Sequence, residues 1–228
     1  MLERNELIVD VISDVACPWC FIGMKRLERA IELADGVDVS VRWRPYQLDP
    51  TIPPEGMPRR EYMLNKFGSE ERLQDIHAQV TSAGDAEGIR FNFDAMQVSA
   101  NTLDAHRLIR WAASPKAPPR AQSLIVRRLF EMNFEEARDI GDHTVLVEAA
   151  GEADLDTALI ATLLASNADA EAVRNEIATA GQMGVRGVPC FLLEGRYAVM
   201  GAQDPETLAD AIKQVAGAKA RGELSADA

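Results

Sequence analysis

Two cysteines three residues apart constrain this chain more than any other feature of its sequence. Cys17 and Cys20 follow an apolar run, residues 7–13, and precede a helix-like stretch, residues 21–33. Pro18 suits the first helical position, because that position needs no backbone N–H and the ring fixes a helical φ. Cys17 then caps the helix, where unpaired N–H groups and the helix dipole favour a thiolate, so it is the expected nucleophile. Cys20 lies one turn further on, within reach of a disulfide bond. The spacing predicts a reversible redox pair.

Other uses of a cysteine pair fit the rest of the chain less well. A structural zinc site would need two further cysteine or histidine ligands at comparable spacing. The remaining candidates, Cys190, His77, His106 and His143, stand far apart. Haem attachment would need a histidine directly after the second cysteine, and Phe21 stands there. We therefore predict no metal. Two ordinary buried cysteines at the end of a strand remain the alternative to a redox pair.

The length and the net charge of the chain limit its possible size of core and its possible binding partners. A chain of 228 residues can bury a full core as one domain, with or without an insertion. A formal net charge of −12 argues against nucleic acid or an anionic membrane as the main partner, because both bind basic surfaces. The charged start has no apolar signal segment, and no apolar run reaches the length of a membrane span. We therefore expect a cytoplasmic protein, and in that compartment a dithiol is more often catalytic than structural.

The apolar pattern predicts an α/β protein with a helical insertion. Residues 7–13, 21–33 and 37–43 are expected to form a strand, a helix and a strand, as in a right-handed βαβ unit. A proline-rich crossing, residues 49–58, then leaves the sheet. After it, nearly every periodic segment predicts a helix: residues 59–67, 70–83, 102–113, 120–132, 142–150, 156–165 and 170–180.

The sheet is expected to resume near the C-terminus. Residues 190–193 and 197–200 predict a hairpin, and Asp204 with Pro205 begins a last helix that is expected to end near residue 215. The residues after it, 216–228, are small and polar and are expected to fray. The predicted domains are therefore residues 1–49 with 181–228, and an inserted helical block of residues 50–180.

These motifs together resemble a known family. A Cys-x-x-Cys at the start of the first helix, followed much later by Gly187-Val188-Pro189 and a hairpin, resembles the thioredoxin fold, which has a four-stranded mixed sheet. The helical insertion makes the chain similar to the DsbA family. Four segments, residues 13–23, 43–48, 53–57 and 101–108, are similar to the FrnE-like branch, whose members are described as dithiol-disulfide oxidoreductases or isomerases.

The resemblance implies a mechanism and a set of site residues. Pro189 would be cis and would face the cysteine pair, and the backbone of Val188 would pair with an extended substrate. Cys17 would attack a substrate disulfide, and Cys20 would resolve the mixed disulfide; an oxidised pair would run the reaction in reverse. Pro18 and Trp19 complete the expected substrate contacts beside the pair. The substrates would be protein or small-molecule thiols and disulfides, and the direction of electron flow stays open.

Two alternatives remain open at this stage. The same fold includes glutathione-dependent transferases and chromene-carboxylate isomerases, which typically have a serine at the position of Cys17. The second cysteine therefore favours disulfide chemistry. Residues 201–204 lie where such relatives bind the γ-glutamyl group, so glutathione stays open as a co-substrate, although no other cofactor is expected. A non-catalytic peptide-binding module would use only the cleft and the proline edge. A homodimer is compatible with the sequence, which leaves the oligomeric state open.

Several further residues have two interpretations. Cys190 could be an auxiliary thiol or a small buried hydrophobe, and Asp14 could relay protons for Cys20 or cap the turn. Asn101 and His106, at the start of a helix, could be a cap and a packed histidine, or could bind substrate in the cleft above Cys17. We expect the helical block to pack over one end of the sheet and to create that cleft, lined in part by Trp19.

Overall fold

The computed structural model describes residues 6–224 and consists of a central sheet with helices on it. Its strands are β1 (Leu7–Ser13), β2 (Val39–Pro45), β3 (Met57–Pro58), β4 (Val98–Ser99), β5 (Cys190–Leu193) and β6 (Tyr197–Met200). Its α-helices are α1 (Pro18–Leu33), α2 (Arg59–Phe67), α3 (Glu70–Asp85), α4 (Leu103–Trp111), α5 (Ala121–Phe134), α6 (His143–Glu152), α7 (Thr157–Leu164), α8 (Ala170–Gln182) and α9 (Pro205–Ala220). All the predicted helices are present, with ends that differ by a few residues.

The main sheet has four strands in the order β2-β1-β5-β6. β1 runs parallel to β2 and antiparallel to β5, and β5 forms the predicted hairpin with β6. The sheet is therefore mixed, as predicted. β1 is buried between β2 and β5. The residues before Cys17 follow its carboxyl end and therefore lie at that end of the sheet.

Two features of the fold differ from the predictions. β3 and β4 pair as a small antiparallel sheet inside the helical block, with Met57 opposite Ser99. Strands of two residues have no alternation that a sequence pattern could reveal. The last helix also continues past residue 215 to Ala220. Lys219 holds this extension, because its ammonium donates to the Glu6 carbonyl oxygen at 2.7 Å and pairs with Glu194 at 2.9 Å. Residues 225–228 of the tail that we expected to fray lie outside the described residues.

The helical block and the sheet share one hydrophobic core. The Phe21 ring of α1 stacks on the Phe130 ring of α5, with centroids 5.1 Å apart and an angle of 4° between the planes. Phe134 and Phe91 extend this aromatic cluster, Phe91 by an edge-on contact with Phe21. The helix that carries the cysteine pair is therefore packed against the insertion. Among the described residues, no helix is both long enough and apolar enough to cross a bilayer.

Candidate functional site

The cysteine pair lies at the beginning of α1, as predicted. Cys17 is the N-terminal cap residue with an extended backbone, and Pro18 occupies the first helical position. The Cys17 N–H donates to the Asp14 carbonyl oxygen at 2.9 Å, and the Cys20 N–H donates to the Cys17 carbonyl oxygen at 3.0 Å. Both cysteines are free thiols and both are buried. The turn therefore holds the two thiols next to each other on the first turn of the helix.

The surroundings of Cys20 keep its thiol protonated. Burial is the largest cause that raises its pKa well above the ordinary value, followed by the hydrogen bond and the charge of Cys17. Hydrogen bonds from the Ser13 side chain and the Asp14 backbone act in the opposite direction and are weaker. Cys20 is therefore the more deeply buried thiol of the pair, and its raised pKa keeps it protonated.

The predicted cis peptide bond between Val188 and Pro189 is present. The Cys17 thiol donates a long hydrogen bond to the Val188 carbonyl oxygen, with 3.9 Å between sulfur and oxygen. The Pro189 ring contacts α1 at Gly23, where an added Cβ would lie only 2.8 Å from Pro189 Cγ. A glycine at this position therefore lets the proline turn approach the helix that carries the cysteines.

A cavity of about 380 Å³ opens beside Cys17. Pro18, Trp19 and Val188 line it on the side of the cysteine turn, and α2 and α3 of the helical block form the opposite wall. Trp19 is 38% exposed, which agrees with its expected position in an open turn. The cleft between block and cysteine turn is therefore present, and its size is typical of a pocket for a small ligand.

Asp14 has the contacts of a turn-capping residue. Its carboxylate accepts hydrogen bonds from the Ala16 N–H at 3.2 Å and from the Leu48 N–H at 2.8 Å. It also lies 3.5 Å from Nε2 of His106, and both side chains are almost fully buried. These contacts connect the cysteine turn to Leu48, just before the proline-rich crossing, and to His106 on α4. They do not test whether Asp14 relays protons.

Asn101 and His106, for which the sequence left a substrate-binding position in the cleft open, do not line the cavity. Thr102, and not Asn101 as expected, is the cap residue of α4. The Asn101 side-chain oxygen accepts from the Leu103 N–H at 2.9 Å, and its amide donates to the Ile52 carbonyl oxygen at 2.5 Å. His106 points into the protein towards Asp14 and is only 3% exposed. The helical rotation of α4 turns this histidine inward, while α2 and α3 form the wall that we had assigned partly to α4.

The cavity residues that the sequence analysis did not assign to the site include Arg59 on α2, His77 on α3 and Asn133 on α5. Asn133 is buried and donates from its amide to the Val15 carbonyl oxygen at 3.2 Å. A polar residue among the buried apolar positions of α5 is the signal that could have identified it. Arg59 and His77 carry no comparable local signal.

Cys190 is buried at the start of β5, and burial raises its pKa. It packs with Ile12 and Ala180 in a cluster separate from the core that holds the cysteine pair. These contacts fit a small buried hydrophobe. Within residues 6–224 no cluster of three or more His, Cys, Asp or Glu side chains is placed to hold a metal ion.

The segment of residues 201–204 is tied to its neighbours. The Gly201 N–H donates to the Pro189 carbonyl oxygen at 2.8 Å, and Arg26 donates to the Ala202 carbonyl oxygen at 2.6 Å. Asp204 caps α9 by accepting from the Thr207 N–H at 2.8 Å. The segment thus helps to hold the turn at Pro189 in place through its hydrogen bond from Gly201.

The sequence of this chain matches the model of a known family over most of its length. The model of the DSBA-like thioredoxin domain matches residues 8–213. This chain belongs to that family. The probable DsbA oxidoreductase SCO1869 of Streptomyces coelicolor is 30% identical, with a TM-score of 0.81 over 97% of this chain and 93% of the other.

Two further relatives are more distant. The protein YwbO of Bacillus subtilis (strain 168) is 26% identical over 209 residues, which are 90% of this DSBA-like chain and 94% of YwbO. The cytosolic disulfide reductase DsbM of Pseudomonas aeruginosa is 17% identical, with a TM-score of 0.61 over 94% of this chain and 98% of DsbM. At that identity DsbM shows a shared fold.

Proposed function

We propose that this DSBA-like protein is a thiol-disulfide oxidoreductase or isomerase that reacts through Cys17 and Cys20. The observation that carries the proposal is the different placement of the two thiols. Cys17 lines the cavity, whereas Cys20 is buried behind it with a raised pKa. An attacking thiolate needs access to substrate, and a resolving thiol needs only access to the first sulfur.

The reaction balances within the pair. The Cys17 thiolate attacks one sulfur of a substrate disulfide, the substrate S–S bond breaks, and its other half leaves as a thiolate. Cys20 then loses its proton and attacks the Cys17 sulfur, which releases the second substrate thiol and leaves the pair oxidised. Starting from the oxidised pair, a substrate dithiol runs the same steps in reverse. Rearrangement of a mixed disulfide before resolution is isomerisation.

Substrate would lie across the turn formed by Pro18, Trp19, Val188 and Pro189. An extended chain can hydrogen-bond to the Val188 backbone, and exposed Trp19 offers an apolar surface next to the reacting sulfur. Asn101 and His106 would act on substrate indirectly as positioning residues. Asn101 holds Ile52, which lines the cavity, and His106 lies against Asp14, which holds Leu48.

Reduction of insulin by dithiothreitol, and reactivation of scrambled ribonuclease, test this proposal. We expect Cys17→Ser to abolish both activities and Cys20→Ser to trap a mixed disulfide that mass spectrometry detects. Cys190→Ala is the matched control, because it removes a buried cysteine from a separate cluster and should keep both activities. Wild-type protein that shows neither activity, or a Cys17→Ser variant that keeps them, would contradict the proposal.

The wild-type protein and the same cysteine variants also test glutathione as a co-substrate and the two alternative functions. Oxidised wild-type protein should be reduced by glutathione through a Cys17-linked adduct, which an acid quench would preserve. A glutathione transferase or isomerase would turn over its substrate with Cys20→Ser as fast as with wild type. A peptide-binding module would bind unfolded protein equally well with both cysteines replaced and would show no turnover.

We propose the cytoplasm as the working compartment and protein or small-molecule thiols as partners. A reducing compartment would keep both thiols free, and the cytosolic disulfide reductase DsbM shares the fold. Fractionation of the source cells tests the compartment. Light scattering of the purified protein tests whether it forms a homodimer.

A further inference from the structure

One cation that lines the cavity beside Cys17 has no acidic partner among the described residues. The Arg59 guanidinium lines the cavity and lies over the Phe93 ring, 5.9 Å from its centroid. Burial lowers the pKa of Arg59 to about 10. Within residues 6–224 no carboxylate forms an ion pair with it. In a chain with a net charge of −12, an inward-facing cation without an acidic partner is unusual.

The other cation of the cavity is already engaged. Lys66 donates from its ammonium to the Tyr62 hydroxyl at 2.9 Å, and that hydroxyl donates in turn to the Asp49 carboxylate. The largest cause that lowers the pKa of Asp49 is the hydrogen bond from the Thr51 hydroxyl, and the charge of Lys66 is a smaller one. The Asp49 carboxylate and the Lys66 ammonium thus both have partners at one side of the cavity, and Arg59 is left as the cation that would attract an anion.

A neutral histidine accompanies Arg59. The His77 ring stacks on the Phe93 ring with centroids 4.3 Å apart, and its buried Nε2 has no hydrogen-bond partner among the described residues. Burial, and after it the charge of Arg59, lower the pKa of His77, so this imidazole is neutral near pH 7. A neutral imidazole can donate one hydrogen bond to an anion that Arg59 holds.

Much of the wall between Arg59 and the cysteine turn is apolar, although Asp14, Thr102 and Asn133 also line the cavity. Ile52, Met63, Phe67, Ile76 and Val80 contribute side chains without hydrogen-bonding groups that could bind a peptide backbone. A volume of about 380 Å³ lies at the lower end of the range for small-molecule pockets. The cavity therefore combines an apolar body, one cationic end and a nucleophilic sulfur on its wall.

We propose that this cavity binds small apolar disulfides, or the matching thiols, that carry a carboxylate, with the carboxylate on Arg59 and the sulfur at Cys17. The inference rests on the proposed oxidoreductase function and names a substrate class for it. The Cys17 thiolate attacks one sulfur of the disulfide, and the broken S–S bond leaves its electron pair on the released thiolate. Cys20 loses its proton to solvent and attacks the Cys17 sulfur. The products are two small thiols and an oxidised cysteine pair.

Three disulfides separate the contributions of charge and shape. Dithiobis(nitrobenzoate) is aromatic and anionic, dithiodipyridine is aromatic and neutral, and hydroxyethyl disulfide is small and neutral. Stopped-flow absorbance or mass spectrometry gives each second-order rate constant with reduced protein, and subtraction of the Cys17→Ser rate isolates Cys17. We expect Arg59→Gln to lower the ratio of the anionic to the neutral aromatic rate by about tenfold, because it removes a partly buried charge contact.

Matched variants guard against general charge effects and misfolding. Arg60→Gln removes the same charge from the exposed neighbour on α2, which pairs with Glu70, and should leave the ratio unchanged. Arg59→Lys should restore most of the ratio. Met63→Trp should fill the cavity and slow both aromatic disulfides about tenfold relative to hydroxyethyl disulfide.

The outcomes distinguish this inference from the function on which it rests. If hydroxyethyl disulfide reacts with Cys17 but Arg59→Gln leaves the anionic-to-neutral ratio within twofold of wild type, the inference is overturned and the oxidoreductase proposal survives. If Met63→Trp slows insulin reduction as much as it slows the aromatic disulfides, the cavity holds a protein side chain, and the inference is also overturned. If none of the disulfides reacts with Cys17, the oxidoreductase proposal fails, and this inference fails with it.

Discussion

At the scale of the residue, the two thiols of the pair differ in surroundings more than in position. Cys17 lines a cavity and contacts the Val188 carbonyl oxygen, whereas Cys20 is enclosed by the first turn of α1 and the end of β1. Desolvation disfavours the charged form of a buried thiol, and a neighbouring thiolate disfavours it further. The asymmetry that two-step disulfide chemistry requires is thus built into one helical turn.

Alkylation should therefore distinguish the two thiols. With reduced protein at about pH 7, we expect iodoacetamide to modify Cys17 at least about tenfold faster than Cys20, because the raised pKa of Cys20 keeps it protonated. The sign follows from the direction of that shift: Cys20 should gain reactivity only as the pH rises towards the alkaline range. Peptide mapping by mass spectrometry at a series of pH values gives both rates. Equal rates between about pH 5 and pH 8 would refute the assignment of roles.

Gly23 has no side chain, and this allows the Pro189 ring to pack closely against α1. Replacement by alanine would place a Cβ 2.8 Å from Pro189 Cγ, so helix or proline turn must move. We expect Gly23→Ala to destabilise the protein by about 1–3 kcal/mol and to lower insulin reduction several-fold. Gly181 is a matched control, because a Cβ there meets no other atom; Gly181→Ala should be neutral or stabilise by about 0.5 kcal/mol.

Urea unfolding of the two glycine variants measures both effects. The comparison removes the general preference of helices for alanine, since both glycines lie within α-helices. A Gly23→Ala variant with wild-type stability and activity would show that Pro189 does not need this close approach.

At the scale of the element, one buried arginine ties the block helices together. Arg107 on α4 is almost fully buried and donates to the carbonyl oxygens of Leu163, Ser166 and Ala168, each at 2.7 Å. It also pairs with Asp104 on the same helix at 2.7 Å. Those carbonyls lie at the end of α7 and in its connection to α8, where the last backbone acceptors of a helix have no N–H partner within the helix. One side chain therefore caps the connection and anchors it to α4.

Loss of that guanidinium should be costly. Arg107→Met keeps the apolar stem but removes a donor from each of the three carbonyls and from Asp104, and we expect a loss of about 3 kcal/mol. For a chain of this size the loss corresponds to a fall of about 9 °C in Tm. Arg110→Met on the same helix removes only partly exposed ion pairs and should change stability by less than about 1 kcal/mol. Calorimetry measures the Tm of both variants, and equal Tm values would contradict the capping role of Arg107.

At the scale of the whole molecule, the inserted block and the sheet depend on each other. Phe21, one residue after Cys20, belongs to the aromatic cluster that includes Phe130 and Phe134 of the block. Since the buried core extends through both parts, neither part has a complete core by itself. The block therefore supplies both the wall of the cavity and much of the packing that fixes α1.

A shared core predicts one cooperative transition. We expect far-UV circular dichroism and tryptophan fluorescence to report the same midpoint in urea, and Phe130→Ala to lower both midpoints together through a loss of about 3–5 kcal/mol. A chain in which a short linker replaces residues 50–180 should lack cooperative unfolding. Separate midpoints for the two probes, or a folded trimmed chain, would show that the predicted domains are independent units.

What the sequence by itself determined are the features encoded within one or two turns of chain. The cysteine spacing, Pro18 at the start of α1, the Asp204 cap and the hairpin after Pro189 each depend on near neighbours, whose geometry local chemistry dictates. Together with the family resemblance, these features sufficed to predict the fold, the placement of the cysteine pair and the cis-proline turn.

Only the tertiary structure decided which distant residues meet around Cys17. Val188 reaches that thiol from 171 residues away, and Arg59, His77 and Asn133 arrive from three different helices of the block. His106 has the helical position that we predicted, yet packing turns it towards Asp14 and out of the cavity. The periodicity of a helix indicates which residues share a face, but the docking of that face depends on the whole core. For this reason the sequence predicted a cleft beside Cys17, but the residues that form its far wall, Arg59 among them, emerged only from the packed structure.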